Sequence, residues 1–200
     1  MKSEFIIHIG IKPEHIVDAA RLYANAFQHK FLKILGTPDK VSKILKDGLN
    51  TDRGISAISN DNELLGIVGY HLDKTSLTDI KFKSFINNYG ILKGIIKFVI
   101  LAIIFYRKAD NKNQLMMDGI AVKEGYRRLG IGKELFNELE NLARNNNITE
   151  IKLDVIDENP EAKKLYQNIG FVPIKYTNIP KFINNLIGVS GVTTMIKKLK

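Results

Sequence analysis

The 200-residue chain has no cysteine and no tryptophan. Without cysteine there are no disulfides, no thiol nucleophile and no thiolate metal site. The absence fits a reducing compartment, and the sequence reads as cytoplasmic. No repeat, Pro/Gly-rich linker or low-complexity tract marks a boundary, so residues 1–200 read as a single domain. A chain of this length can bury about two-thirds of its unfolded surface without staples. A signal peptide is also missing: in MKSEFIIHIG the apolar part is short, Glu4 interrupts the basic flank, and no small-residue cleavage site follows. The most apolar run, Ile91 to Tyr106, holds Lys93 and Lys97, and its uncharged part is only nine residues, Phe98 to Tyr106. A spanning helix needs about 20. The run reads as a buried helix, with peripheral membrane contact as the alternative.

What is present is ordinary globular composition, 44% hydrophobic and 26% charged. Thirty Lys and Arg against 21 Asp and Glu leave a net charge of +9. That favours anionic partners. The lysines are dispersed, however, and no basic stripe alternates with aromatics, so nucleic acid is not expected. His8, His15, His29 and His71 lack ligand spacing and read as structural or exposed; no metal site is expected.

The chain opens with a strand over Glu4–Ile11, and Pro13 starts a helix. A second helix follows Thr37-Pro38-Asp39. Gly54–Ser59 and Leu64–Leu72 read as a hairpin about the turn Asn60 to Glu63. Residues 73–88 are ambiguous, and the apolar helix follows. The second half reads more clearly. Gln114–Val122 is a buried strand, Gly130–Asn145 a helix with apolar residues at helical spacing, and Thr149–Ile156 a strand. Asn159–Asn168 is a short helix with Asn159 as cap and Pro160 at its first position. Phe171–Tyr176 and Gly191–Leu199 are strands, the last pairing antiparallel with its predecessor at the sheet edge. This order predicts an α/β fold, a mixed central sheet with helices on both faces.

The chemistry concentrates in Asp118-Gly-Ile-Ala-Val-Lys-Glu-Gly-Tyr-Arg-Arg-Leu-Gly-Ile-Gly-Lys133. A buried strand runs into a Gly- and Arg-rich turn, and a helix starts at once. The first N–H groups of a helix lack internal partners and lie at the positive end of its dipole. Gly130 and Gly132 allow close approach, and Arg127, Arg128 and Lys133 add charge. Such a turn suits a pyrophosphate. Glu134 follows Gly132-Lys133 where a Walker loop needs Ser or Thr. The third glycine of a dinucleotide fingerprint is missing too.

Arg127-Arg-Leu-Gly130-Ile-Gly132 after Ile120-Ala-Val122 resembles motif A of the GCN5-related N-acetyltransferases, the GNAT superfamily. Downstream, Asn159-Pro-Glu-Ala162-Lys-Lys-Leu-Tyr166-Gln-Asn-Ile-Gly170-Phe171 is similar to that family's Asn-x-x-Ala-x-x-x-Tyr-x-x-x-Gly-Phe pattern. The match covers about residues 114–176. The resemblance implies the acyl-CoA N-acyltransferase fold, with the strands at 114–122 and 149–156 splayed around the pantetheine arm. It implies acetyl-CoA as co-substrate. Backbone groups of Ile120, Ala121 and Val122 would pair with the arm. The N–H groups of Arg127, Arg128, Leu129, Gly130, Ile131, Gly132 and Lys133 would hold the pyrophosphate, and Asn159 would reach the pantetheine. An amine would attack the thioester directly, with Tyr166 protonating the leaving thiolate.

Tyrosine, with a pKa near 10, stays protonated at neutral pH and can serve a thiolate near 8.5. An alkyl ammonium near 10.4 must first lose a proton, which costs about 4.6 kcal/mol at pH 7. Asp118 is the best candidate base. Strand alternation predicts that it shares a face with Met116, Ile120 and Val122. Glu63, Glu124 and water stay open. Blander roles stand beside these: Asp118 as ion-pair partner of a lysine, Asn159 as helix cap alone, Tyr166 as a core residue beside Phe171. Tyr23, Phe27 and Phe31 lie where the family builds its acceptor pocket, but also suit a core. The amine acceptor, the acyl length and the oligomeric state stay open; the apolar helix and last strand are possible homodimer surfaces. The rival readings are a non-catalytic acyl-CoA-binding module and a protein binding anionic surfaces.

Overall fold

A computed structural model describes residues 4–26, 35–72, 75–78, 81–105 and 112–199, with backbone alone at 101–105 and 186. One seven-stranded sheet draws on both ends of the chain, in the order β1-β2-β3-β4-β5-β7-β6. Its strands are β1 Phe5–Ile9, β2 Gly54–Ser59, β3 Leu64–His71, β4 Gln114–Val122, β5 Glu150–Ile156, β6 Val172–Asn178 and β7 Gly191–Lys198. All neighbours are antiparallel except β4 and β5. The helices are α1 Ile16–Ala26, α2 Pro38–Gly48, α3 Phe82–Tyr89, α4 Ile91–Phe105, α5 Ile131–Asn145, α6 Pro160–Asn168 and α7 Lys181–Ile187.

The sheet is covered on both faces, as the predicted element order requires. On one face Ala20, Tyr23 and Ala24 of α1, Ile44 of α2, Phe85 of α3 and Ile187 of α7 pack over Ile67 and Ala121. On the other, α5 sends Ile131, Leu135, Phe136, Leu139 and Leu142 onto Leu65, Val68, Leu115 and Met117. That stripe recurs at three- and four-residue spacing, which is why the segment is helical and why one face is buried. Each such side chain contributes about 1.5–3 kcal/mol by leaving water.

Two expectations are corrected, the edge place of the last strand and the burial of the apolar helix. The last strand, β7, is not at the edge but lies between β5 and β6. Its residues alternate between buried and half-buried, as a doubly flanked strand should. β6 takes the edge instead: every residue is exposed, and Pro173 has no N–H to give a further neighbour. The ambiguous stretch holds a helix, α3. The apolar helix α4 is not buried throughout: Ile91, Leu92, Ile95, Ile96 and Val99 are exposed. The chain between β6 and β7 also carries the short helix α7, where the sequence predicts no element. Phe27, Phe31, His29 and Tyr106 lie outside the described residues. Among the described residues, no helix is long and apolar enough to cross a membrane.

Candidate active site

The parallel pair β4–β5 is in register only from Gln114–Glu150 to Met116–Lys152. Beyond that point β4 stays with β3 as far as Val122, and β5 stays with β7 as far as Ile156. Each strand follows its antiparallel neighbour, and sheet twist carries the two halves apart. A wedge opens between Met117–Val122 and Leu153–Ile156, with unpaired strand edges as its walls.

β4 carries an extra residue just where the wedge begins. Tyr70 pairs with Met117 but Gly69 pairs with Gly119, so Asp118 is bulged out of the ladder. Gly119 has φ 145°, a conformation L side chains rarely adopt. The bulge overturns the expected alternation: Met117, not Met116, joins Ile120 and Val122 on the α5 face. Met116 lies opposite His71. Ala121 faces the other core.

The partner of Asp118 is a histidine, not a lysine. His71 Nε2 hydrogen-bonds Asp118 Oδ1. The Asp118 side chain is 8% exposed, and its buried Oδ2 has no hydrogen-bond partner among the described residues. The sequence reading placed His71 among structural or exposed histidines. The sequence pairs its strand only with Gly54–Ser59, so nothing there brings His71 to the motif strand; the β3–β4 ladder does. His15, by contrast, is buried and bonds Asn62 Oδ1 at 3.3 Å, as a structural histidine does.

At the open end of the wedge, β4 passes into a 3-10 turn, Glu124–Tyr126. Glu63 anchors this turn: it pairs with Lys123 and accepts from Tyr126 Oη at 2.9 Å. Those two hydrogen bonds hold its carboxyl below the usual range, Lys123 first and Tyr126 second. Glu63 is thus committed to the loop, and Glu124 is exposed on the turn. Arg127 Nε reaches back to the Val122 carbonyl at 3.4 Å. Arg128, with φ 65°, and Gly130, with φ 87°, turn the chain into α5. The Gly130 carbonyl accepts from Lys133 and Glu134, which closes the first helical turn.

The backbone N–H groups of Arg128, Leu129, Gly130, Ile131 and Gly132 bond nothing among the described residues. No atom lies within 4 Å of where a Cβ on Gly130 would sit. The side chains of Arg127, Arg128 and Lys133 are exposed. The loop therefore presents outward amides, a helix N-terminus and three cations on one open surface. These groups fit a pyrophosphate. The unpaired edges of the wedge fit an extended, amide-bearing chain, which would add like a strand.

The other wall leads from β5 to α6. Asn159 caps α6, its Oδ1 accepting from Ala162 N at 3.1 Å, and its amide nitrogen is left to donate. Tyr166 is 9% exposed, its ring 5.8 Å from that of Phe171 and tilted 61°. Burial pushes its hydroxyl up to about 12.

The sequence profile described as "Acetyltransferase (GNAT) family" matches residues 23–171. Solved structures share the fold. A GCN5-related N-acetyltransferase from Kribbella flavida is 14% identical over 98% of both chains, with a TM-score of 0.61. A putative phosphinothricin N-acetyltransferase is 12% identical over 98% of this chain and 99% of its own, with a TM-score of 0.62. Ard1 from Thermoplasma volcanium is 16% identical over 98% of both chains, with a TM-score of 0.60. No curated protein matches the sequence. With its splayed β4–β5 pair and its open amide loop at the start of α5, the chain belongs to the acetyltransferase (GNAT) family.

Proposed function

We propose that the protein moves an acetyl group from acetyl-CoA to a primary amine by direct attack. The observation that carries this reading is the wedge between β4 and β5, with a histidine–carboxylate pair at its closed end and a cationic amide loop at its open end. The amides from Arg128 to Gly132 hold the pyrophosphate, helped by the side chains of Arg127, Arg128 and Lys133; the N–H groups of Arg127 and Lys133, expected to join them, are already bonded to the Glu124 and Gly130 carbonyls. The edge at Ile120–Val122 takes the pantetheine, and the free amide nitrogen of Asn159 reaches it from the other wall.

His71 takes the proton, and Asp118 positions it. An ionised carboxylate only accepts, so the shared hydrogen rests on His71 Nε2, and Nδ1 is left as the basic nitrogen. The amine nitrogen bonds to the thioester carbon and gives one proton to Nδ1. The carbon–sulfur bond breaks, and the sulfur takes the Tyr166 hydroxyl proton. The products are the amide and the free thiol, and the proton taken by His71 passes through water to the Tyr166 oxygen, which restores both residues. With a pKa near 12 Tyr166 stays protonated at every working pH. It is a weaker acid than a thiol near 8.5, so the donation works through hydrogen bonding as charge develops on sulfur.

Calorimetric titration with acetyl-CoA and with free CoA tests the binding half. A panel of small amines, amino acids and polyamines read by thiol release tests the chemistry. Micromolar binding with amine-dependent thiol release is expected. No binding of either CoA form overturns the reading. Binding without release on any amine leaves an acyl-CoA-binding module.

A further inference from the structure

The exposed side of α4 calls for a partner. Ile91, Leu92, Ile95, Ile96 and Val99 recur at one-, three- and four-residue steps, so they fill about 140° of the helix surface. Ile91 and Leu92 are 72% and 74% exposed. The opposite side is fixed against α3. A Cβ at Gly94 would sit 2.9 Å from the Phe85 carbonyl oxygen, and the Phe98 ring lies 5.6 Å from that of Phe85. Phe82, itself exposed and 5.1 Å edge-to-face from Phe98, extends the ridge. A helix apolar on all sides is normally enclosed by protein or lipid. Among the described residues this one is enclosed on one side only.

The charges around the ridge narrow the choice. From Lys81 to Phe105 there are four lysines, Lys81, Lys83, Lys93 and Lys97, and no Asp or Glu. Lys97 sits 4.9 Å from the Tyr89 ring centroid, with Lys40 of α2 at 5.5 Å from the same ring. Lys97 is held below the usual lysine range by burial first, and then by the positive charges of Lys40 and Lys93. A second copy of the chain would press this cationic rim against itself, with no acid in the hairpin to compensate. A protein partner is disfavoured by composition. Protein interfaces are enriched in Tyr, Trp and Arg and depleted in lysine. Here the ridge is aliphatic apart from Phe82 and holds no Tyr, Trp or Arg, and the rim is lysine, the arrangement of helices that lie in a lipid interface. At 15 residues α4 is about 22 Å long, too short to span but sufficient to lie flat.

We propose that the α3–α4 hairpin docks the protein on an anionic bilayer surface. Ile91, Leu92, Ile95, Ile96, Val99 and Phe82 enter the acyl boundary, and Lys81, Lys83 and Lys93 meet the headgroup charge. The proposal does not depend on the acetyl-transfer reading.

Vesicle flotation of the whole protein tests it, with phosphatidylcholine vesicles beside vesicles containing about 30 mol% phosphatidylglycerol. Partitioning on the order of a hundredfold stronger into the anionic vesicles is expected, from three lysines near the surface. The paired change Leu92→Glu with Ile96→Glu should abolish it. Lys81→Gln with Lys83→Gln and Lys93→Gln should remove the preference for anionic lipid. Circular dichroism and acetyl-CoA titration show whether each variant keeps its fold. Equal partitioning into both vesicles, no partitioning, or partitioning indifferent to the Glu pair overturns the proposal. A concentration-dependent dimer that the Glu pair dissolves also overturns it, in favour of a second copy.

Discussion

His71 and Asp118 stand 47 residues apart in sequence and meet at the bulge where β4 and β5 part. Two antiparallel strands carry them there, β3 and β4. The bulge is what separates Asp118 from the regular ladder. A carboxylate behind an imidazole fixes its orientation and its tautomer.

His71→Gln is expected to lower kcat by about 10²- to 10⁴-fold, the usual worth of a positioned base. Acetyl-CoA binding should be unchanged. Asp118→Asn should lower kcat too, since an amide can turn its N–H towards the ring and reverse the tautomer that the carboxylate fixes. Steady-state kinetics with a saturating amine check both. Wild-type kcat in His71→Gln would remove this residue from the chemistry.

Tyr166→Phe should slow turnover while acetyl-CoA binds as before. The same substitution has a second readout, in stability. Tyr166 has a pKa of about 12 in the folded protein and near 10 when unfolded. Its contribution is therefore complete below pH 10 and is lost as the pH rises towards 12. The full linkage is about 3 kcal/mol. Between pH 9 and 11 the urea midpoint of the wild type should fall more steeply than that of Tyr166→Phe. Parallel curves would show that the hydroxyl ionises freely in the folded state.

Gly132→Ala separates the cradle from the fold. A Cβ there would lie 3.8 Å from Ile120 and from Val122, which is ordinary contact. Alanine favours a helix over glycine by about 0.5–1 kcal/mol, so the melting temperature should hold or rise. Acetyl-CoA affinity should nevertheless fall about tenfold, through a weakened charge-assisted hydrogen bond. A stable protein with undiminished affinity would place the pyrophosphate elsewhere.

Gly69→Ala probes the bulge itself. Its Cβ would come within 2.4 Å of a Leu77 methyl and 2.9 Å of Leu77 Cβ. The strand must shift, at a cost of about 1–3 kcal/mol. Because Gly69 pairs with Gly119 beside Asp118, kcat should fall as well. Thermal melts and kinetics on the same preparation check whether the two losses come together.

Much of this was legible in the sequence because it is local. β2 and β4 have the bounds that their apolar runs predict. Asn159 caps α6 as the Asn-Pro pair suggests, and the glycine-rich turn runs straight into α5. Cap, turn and periodicity are set by residues a few positions apart, so one stretch of chain carries the whole signal. Contacts across the fold carry no such signal. The place of β7 between β5 and β6 depends on which sheet edge was free when the chain returned. The face of Met117 depends on one extra residue in a ladder whose other strand lies far upstream. Alternation alone cannot register that insertion. His71 became a partner of Asp118 through the same pairing. The helix α4 looks buried from composition, since apolar content measures how much surface prefers to leave water. Only the packed structure decides which side finds cover, and among the described residues α3 covers one side while the other stays exposed.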